Sequence, residues 1–464
     1  MSTLPAELVV SLQTRLEAPG GGPGSGGAAD VMTHGRAPVH TVYGGAHLFR
    51  ADAAQKLGGL ALRALEAYAP DASAFAGALG FPGGDDEAFA TAVYRQVLEK
   101  LRREPVEDLR IDFEDGYGVR SEGEEDGHAE AAAREVARGL GLGSLPPMLG
   151  IRVKALTPEL CGRSLRTLDL FLSTLVEATS GALPMGFVVT LPKVSAPGQV
   201  EALVDALEAL ERGLGLQAGA VGLEIMVETP EAVVGPDGSL AARRLCAAGR
   251  GRCAAVHFGP YDYTASLGIM AAHQRLDHPA CEAARELLQV ALAGTGIRLS
   301  DGPTNVLPVP VHRVGGAAAG AAAGAVTEGA TLTEAQVEEN RGAVHGAWRL
   351  HAGQVRRALT QGITQGWDLH PAQLPARYGA VYAFYLEGVP AAGERLRNFL
   401  DRAAQATRVG VVFDDAATGQ GLLGFFLRGV AAGAFTEAEA LRWSTLTPEE
   451  LRSQSFARIV GARR

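Results

Sequence analysis

Eight short, largely apolar runs, each followed by a stretch long enough for a helix, constrain this 464-residue chain more than any other feature. They lie at 39–43, 109–113, 149–153, 187–191, 222–227, 254–258, 296–300 and 363–369. Runs of this length and character read as strands buried on both faces. Helix-period segments at 51–67, 86–103, 128–140, 162–178, 197–213, 239–248, 279–293 and 333–361 separate or follow them. Eight βα units close most simply into a parallel barrel, so the expected fold class is α/β, a (β/α)8 TIM barrel. An open doubly wound sheet is the alternative; it is less favoured because no strand leads into GxGxxG.

The flanks differ from the barrel pattern. Residues 1–37 hold an amphipathic piece at 7–16 and a glycine-rich piece at 19–27, which together read as a flexible lead-in. No Gly-Lys-Ser/Thr follows these glycines, so they are not a phosphate-binding loop. The barrel domain is expected over 38–390, with the Gly/Ala stretch 315–330 as a loop between the last two strands. Amphipathic patterns at 391–407 and 421–443 mark 391–464 as a C-terminal helical extension.

Formal net charge is −10, spread along the chain, which leaves no basic footprint for nucleic acid or for a membrane surface. Cys161, Cys246, Cys253 and Cys281 form no CxxC pair and read as reduced thiols. There is no basic-then-apolar leader, and no apolar run reaches the roughly 18 residues of a membrane span. A cytoplasmic homo-oligomer is the expectation.

Chemistry concentrates where the strands end. The second run passes straight into Asp112, Glu114 and Asp115, then Gly116 and Gly118. The third carries Arg152 and Lys154, and the fourth ends in Pro192-Lys193. The fifth ends in Glu228-Thr229-Pro230, the sixth in Gly259-Pro260-Tyr261-Asp262, the seventh in Asp301-Gly302 and the eighth in His370-Pro371. A parallel barrel brings its strand C-termini to one rim, so these groups are expected to converge. Glu228 and Asp262, at successive strand ends, suit a hard divalent cation, since Mg2+ takes one or two carboxylates and keeps waters for the rest; a pair of solvated or capping acids is the bland alternative. Arg152 can fork onto a substrate carboxylate, or onto Asp112 or Glu114 as a structural ion pair, and the two roles can coexist. His47 could reach the rim, His370 fits a loop-positioning role, His257 falls in the core, and Tyr117 could close over the pocket or simply pack. The run Glu124-Glu125-Asp126 reads as a solvated helix start.

Seven of these stretches, in order over about 38–374, resemble motifs of the HpcH/HpaI aldolase and citrate lyase β-subunit superfamily, with malate synthase a more distant relative. His40 to Ala46 is similar to the first-strand "FVPG" region, and Ile111-Asp112-Phe113-Glu114-Asp115-Gly116 to "DLEDA/G". Ile151 to Lys154 is similar to "RVN", with lysine in place of asparagine, and Leu191-Pro192-Lys193-Val194 to "LPKV". Ile225 to Pro230, Phe258 to Tyr263 and Leu369 to Gln373 resemble "IETP", "FGxxD" and "IHPxQ". The late acid-bearing "G-x-M-V/I-D" segment of acyl-CoA-cleaving members has only a poor counterpart in Gly410 to Asp415, where a helix N-cap is the alternative reading.

The resemblance implies Mg2+ on Glu228 and Asp262, with Arg152 at a substrate carboxylate or enolate oxygen. Asp112 and Glu114 would organise the pocket, with Lys193 among the catalytic set. It implies a Mg2+-dependent carbon–carbon lyase or aldolase that cleaves or condenses a small oxo- or hydroxy-acid, as the free acid or as a CoA thioester, through enolate-like charge. No residues are assigned to CoA, and the catalytic base is unassigned. Two alternatives stay open: phosphoenolpyruvate-type chemistry, using Lys154 and Lys193 for phosphate, and a non-catalytic ligand-binding barrel.

Overall fold

The structure, a computed structural model, describes residues 36–81, 86–313, 331–401, 407–409, 412–414 and 416–463. The expected lead-in before residue 36, the Gly/Ala stretch 315–330 and Asp415 lie outside the described residues. Eight strands close a barrel in chain order: β1 (His40–Gly45), β2 (Asp108–Asp112), β3 (Met148–Arg152), β4 (Val188–Leu191), β5 (Gly222–Val227), β6 (Cys253–Phe258), β7 (Arg298–Pro303) and β8 (Gln365–Asp368). Neighbouring strands run parallel, and β8 pairs back onto β1. This is the expected (β/α)8 barrel.

The strands differ from the expectation in what their two faces bury. Leu109, Ile111, Leu149, Ile151, Val189, Leu191, Leu223, Ile225, Val256 and Phe258 are all at most 2 % exposed. The alternate positions carry much of the polarity. In β2 these are Asp108, Arg110 and Asp112, all buried, one residue out of phase with Leu109 and Ile111. Side chains of a strand alternate between faces, so polar and apolar residues segregate to opposite sides.

The interior is held by ion pairs and hydrogen bonds. Arg110 donates from Nη2 to Glu224 at 2.6 Å, from Nε to Thr190 at 3.1 Å, and also to Asp108. His257 Nε2 reaches the same Glu224 oxygen at 3.1 Å, and Thr41 donates to Asp108 at 2.8 Å. Glu224 is thereby held well below the usual carboxylate range, because Arg110 and His257 outweigh the burial that would raise it. His257 thus lies in the core, as expected, and serves as a partner of Glu224.

Helix boundaries follow local signals. The helix after β2 spans Glu122–Leu142, six residues earlier than expected, because Ser121 and Glu124 form a reciprocal capping box. The acidic run is not simply solvated: Glu125 is 2 % exposed and pairs with Lys154 at 2.8 Å. An unexpected helix, Ala72–Leu79, is capped by Asp71 and ended by Gly80 in the left-handed conformation. β7 sits two to three residues later than expected, which puts Asp301 inside the strand. There it is 4 % exposed and accepts from Arg285 at 3.0 Å, so it does not join the rim.

The helix after β8, Leu374–Asp401, runs through the expected seam at 390–391 with Pro390 inside it. A proline breaks an isolated helix, but Val389, Ala392, Leu396 and Phe399 are buried around this one. Helices Ala416–Ala431, Glu437–Ser444, Pro448–Ser453 and Phe456–Arg463 follow, after an unexpected antiparallel pair, β9 (Thr407–Val409) and β10 (Val412–Asp414). Among the described residues no helix is long and apolar enough to cross a membrane.

Candidate active site at the barrel rim

The register of β2 on β3 sets Asp112 opposite Arg152. Arg152 then forks onto Asp112, Nε to Oδ1 at 2.7 Å and Nη2 to Oδ2 at 2.6 Å. Its remaining edge, Nη1, lies 3.1 Å from Glu114 Oε2 and 3.5 Å from the sulfur of Met226. The guanidinium also sits 4.8 Å from the Tyr43 ring centroid and 5.6 Å from that of Trp367. Burial opposes the charge, but Asp112 and Glu114 keep Arg152 above its ordinary range. The ion pair considered from the sequence is therefore formed, and Arg152 is a buried cation beneath the rim, 2 % exposed.

Asp112 also fixes the turn that follows it. Its Oδ1 accepts the Glu114 amide at 2.9 Å and its Oδ2 the Gly116 amide at 2.7 Å. A Cβ at position 116 would lie 2.5 Å from Asp112 Oδ2, which is why a glycine stands there. The turn aims Glu114 and Asp115 across the barrel mouth.

Lys193, two residues past β4, meets them. Its ammonium pairs with Glu114, lies 3.2 Å from Asp115 Oδ2 and 3.9 Å from Asp262 Oδ2. Its backbone N–H donates to Glu228 Oε1 at 2.5 Å. Lys193 adopts φ +52°, in the left-handed region, a strained choice for a residue with a Cβ. The strain places both its amide and its ammonium on the acids.

Glu228 directly follows β5 and is 2 % exposed. Burial, with the charges of Asp262 and Glu114 added, pushes its carboxyl up to about 8, although Lys193 opposes the shift. Gly259 leaves it room: a Cβ there would come 2.7 Å from Glu228 Oε2. Asp262 lies in the first turn of the helix Pro260–Ser266, with its side chain 47 % exposed. Burial also raises Glu114, against Arg152 and Lys193. Asp115 is held low because Lys193 outweighs its burial.

Glu114, Lys193, Glu228 and Asp262 thus meet at one mouth, with the Asp112–Arg152 pair buried beneath. Among the described residues no three His, Cys, Asp or Glu side chains form a ready metal cage. Two carboxylates are nevertheless enough for Mg2+, and the Glu228 carboxyl, raised to about 8 chiefly by burial, would be returned to its charged form by a cation beside it. The residues present fit a divalent cation on Glu228 and Asp262.

Other candidates lie elsewhere. Lys154 turns away, donating to the Phe113 carbonyl at 2.7 Å and to Glu125. Tyr117 is buried, and its hydroxyl meets His128 Nδ1 at 2.7 Å, so it packs. His47 stacks edge-on against Tyr117, 5.6 Å between ring centroids, and burial lowers its pKa. His370 caps the turn Pro371–Gln373 by accepting the Ala372 amide at 3.1 Å, the loop-positioning role. Sequence reasoning missed Tyr43, Trp367 and Met226 around Arg152. Strand parity was the available signal, since Tyr43 is in register with inward-facing Arg110.

A citrate lyase from Burkholderia xenovorans LB400 has the same fold, with a TM-score of 0.52 over 75% of this chain and 91% of its own, at 21% identity. A malate synthase from Haloferax volcanii, as its lead(II) complex, scores 0.44 over 82% and 94% at 16% identity. The protein CitE from Mycobacterium tuberculosis, in complex with magnesium, acetoacetate and coenzyme A, scores 0.42 over 74% and 95% at 18% identity. No curated protein matches the chain in sequence. A family model described as a domain of unknown function, DUF6986, matches residues 31–459.

Proposed function

The chain belongs to the DUF6986 family, and from its rim we propose a Mg2+-dependent carbon–carbon lyase or condensing enzyme. The substrate would be a small oxo- or hydroxy-acid, as the free acid or as a CoA thioester. The observation that carries this reading is the meeting of buried Glu228 with Asp262, Glu114 and Lys193 at the mouth of the barrel. The ordered motifs at the same positions support it, and so does the citrate-lyase-like fold.

In this reading Glu228 and Asp262 hold the cation, which when bound supplies Lewis-acid stabilisation of negative charge on a substrate oxygen. Glu114, with its proton affinity raised by burial, takes the proton from a substrate hydroxyl as the adjacent carbon–carbon bond breaks. The bond's electron pair stays on the α-carbon of the departing acid fragment, and the hydroxyl carbon becomes a carbonyl. Lys193 holds Glu114 and Asp115 in place. Arg152 keeps a fixed positive charge under the site, preorganised because Asp112, Tyr43 and Trp367 prevent it from turning. Condensation uses the same groups in reverse. Phosphoenolpyruvate-type chemistry is less well supported, because Lys154, one of its two candidate phosphate cations, is committed to Glu125 and the Phe113 carbonyl.

The test is a screen of oxo-acid and acyl-CoA pairs with added Mg2+, monitored for aldol or Claisen turnover. Turnover that a chelator abolishes and Glu228→Gln lowers by about a hundredfold or more is expected. Turnover indifferent to both rules the reading out.

A further inference from the structure

The floor of the barrel, opposite the rim, carries a second concavity. Where β1, β7 and β8 begin, a cavity of about 250 Å³ opens, with Arg428 of the helix Ala416–Ala431 in its wall. Pro38, Leu292, Ile297 and Ile363 give it an aliphatic lining. Its charged lining residues are Arg298 and Arg428, with no acid among them, in a chain of net charge −10.

The two arginines are neutralised to different degrees. Arg298 Nη2 lies 3.7 Å from Glu224 Oε1, a loose ion pair to an oxygen that makes no hydrogen bond, while Arg110 and His257 hold the other oxygen, Oε2. Arg298 Nε is buried without a hydrogen-bond partner, while the side chain as a whole keeps 28 % of its exposure. Arg428 is half-buried beside Tyr385, with no ion pair to a described carboxylate. A half-buried guanidinium without a counter-charge, as at Arg428, is costly, and a guanidinium fork matches a carboxylate bidentately. The aliphatic walls disfavour a fully hydrated anion and suit a short hydrocarbon body. The volume admits only a small molecule.

We propose that this cavity is a binding site for a small aliphatic carboxylate, its anionic end on Arg298 and Arg428 and its hydrocarbon end against Leu292, Ile297 and Ile363. Arg298 belongs to β7 and Arg428 to a C-terminal helix, so an occupant ties that helix to the barrel floor. Occupancy raises stability by ordinary linkage. The site is independent of the chemistry at the rim.

The experiment is calorimetric titration of the full chain, with thermal unfolding, using 4-methylpentanoate as the probe. Its uncharged amide and inorganic phosphate serve as comparisons. The carboxylate is expected to bind at one site per chain and raise the unfolding midpoint, and both comparisons are expected to fail. Arg428→Gln is expected to weaken binding by roughly tenfold or more, with Arg428→Lys intermediate because it keeps the charge and loses the fork. Asp262→Asn, at the rim, is expected to leave binding unchanged. An unchanged unliganded midpoint shows that the Arg428 variants are folded, and Arg428→Lys carries the comparison if Arg428→Gln is not. The proposal is overturned if the carboxylate does not bind, if the Arg428 variants bind it as tightly as wild type, or if phosphate or the amide binds equally well.

Discussion

Arg152 is expensive to bury and expensive to disturb. Its three nitrogens face Asp112, Glu114 and Met226, and two aromatic rings flank it. Removing one partner of a buried pair leaves the other uncompensated, at about 3–5 kcal/mol. Arg152→Met should therefore lower unfolding free energy by about that amount in urea titrations, and Asp112→Asn with Arg152→Met should recover part of the loss. Equal destabilisation by the single and double variants would contradict a mutual pair. Gly116 makes a sharper steric prediction. A methyl at 116 meets Asp112 Oδ2 at 2.5 Å, and Asp112 cannot retreat because Arg152 grips both of its oxygens. Gly116→Ala should cost about 1–3 kcal/mol, visible as a lower urea midpoint, whereas Gly118→Ala is governed by its φ of +77° alone, with open space around it.

At the scale of elements, the strands were legible from their apolar content, and their polar faces were not. The sequence Asp108-Leu109-Arg110-Ile111-Asp112 reads as a strand interrupted by charges until the partners on β4, β5 and β6 are known. Thr190, Glu224 and His257 are 80 to 147 residues away in sequence, so no local signal pairs them with Arg110. The role of Asp301 was hidden for another reason: β7 lies two to three residues later than its apolar run suggested, which turned an expected rim acid into a partner of Arg285, only 16 residues away. Lys193 was visible as a strand-end cation, but its left-handed φ, which brings its amide to Glu228, was not. β8 supports a pH prediction. Asp368, its last residue, accepts from Arg377 and contacts His40 and His351, all buried. Burial holds His351 neutral, with its pKa below 6.5 even though Asp368 pulls the other way. The unfolded chain therefore binds the proton first as pH falls. The contribution of His351 is complete above about pH 6.5 and is lost on acidification below it, at up to about 1.4 kcal/mol per pH unit. Asp368, held well below the usual carboxylate range against its burial by Arg377, His351 and His40, adds loss of the same sign below its unfolded value of 3.8. Because Glu228, raised to about 8, contributes with the opposite sign over the same range in both proteins, the measurement is a comparison: between about pH 7 and about pH 5 the wild type should lose more stability, or gain less, than His351→Gln in urea unfolding.

For the whole molecule, two ends of one barrel carry different chemistry. The rim gathers carboxylates around a single lysine, and the floor gathers arginines around an aliphatic cavity. A barrel separates these ends by the length of its strands, so a rim substitution should leave floor binding intact and the reverse. The eight-unit plan and the clustering of acids at strand ends were legible because both follow from local pattern. The helix continuing through Pro390 was not, because tertiary burial overrides the proline. The proposed chemistry requires Glu228 and Asp262 to bind one divalent cation together. Calorimetric titration of Mg2+ into the wild-type protein, Glu228→Gln and Asp262→Asn tests it most directly. Saturable binding is expected in the wild type, weakened by about tenfold or more in each variant. Equal Mg2+ affinity in all three proteins, or none in the wild type, would contradict it.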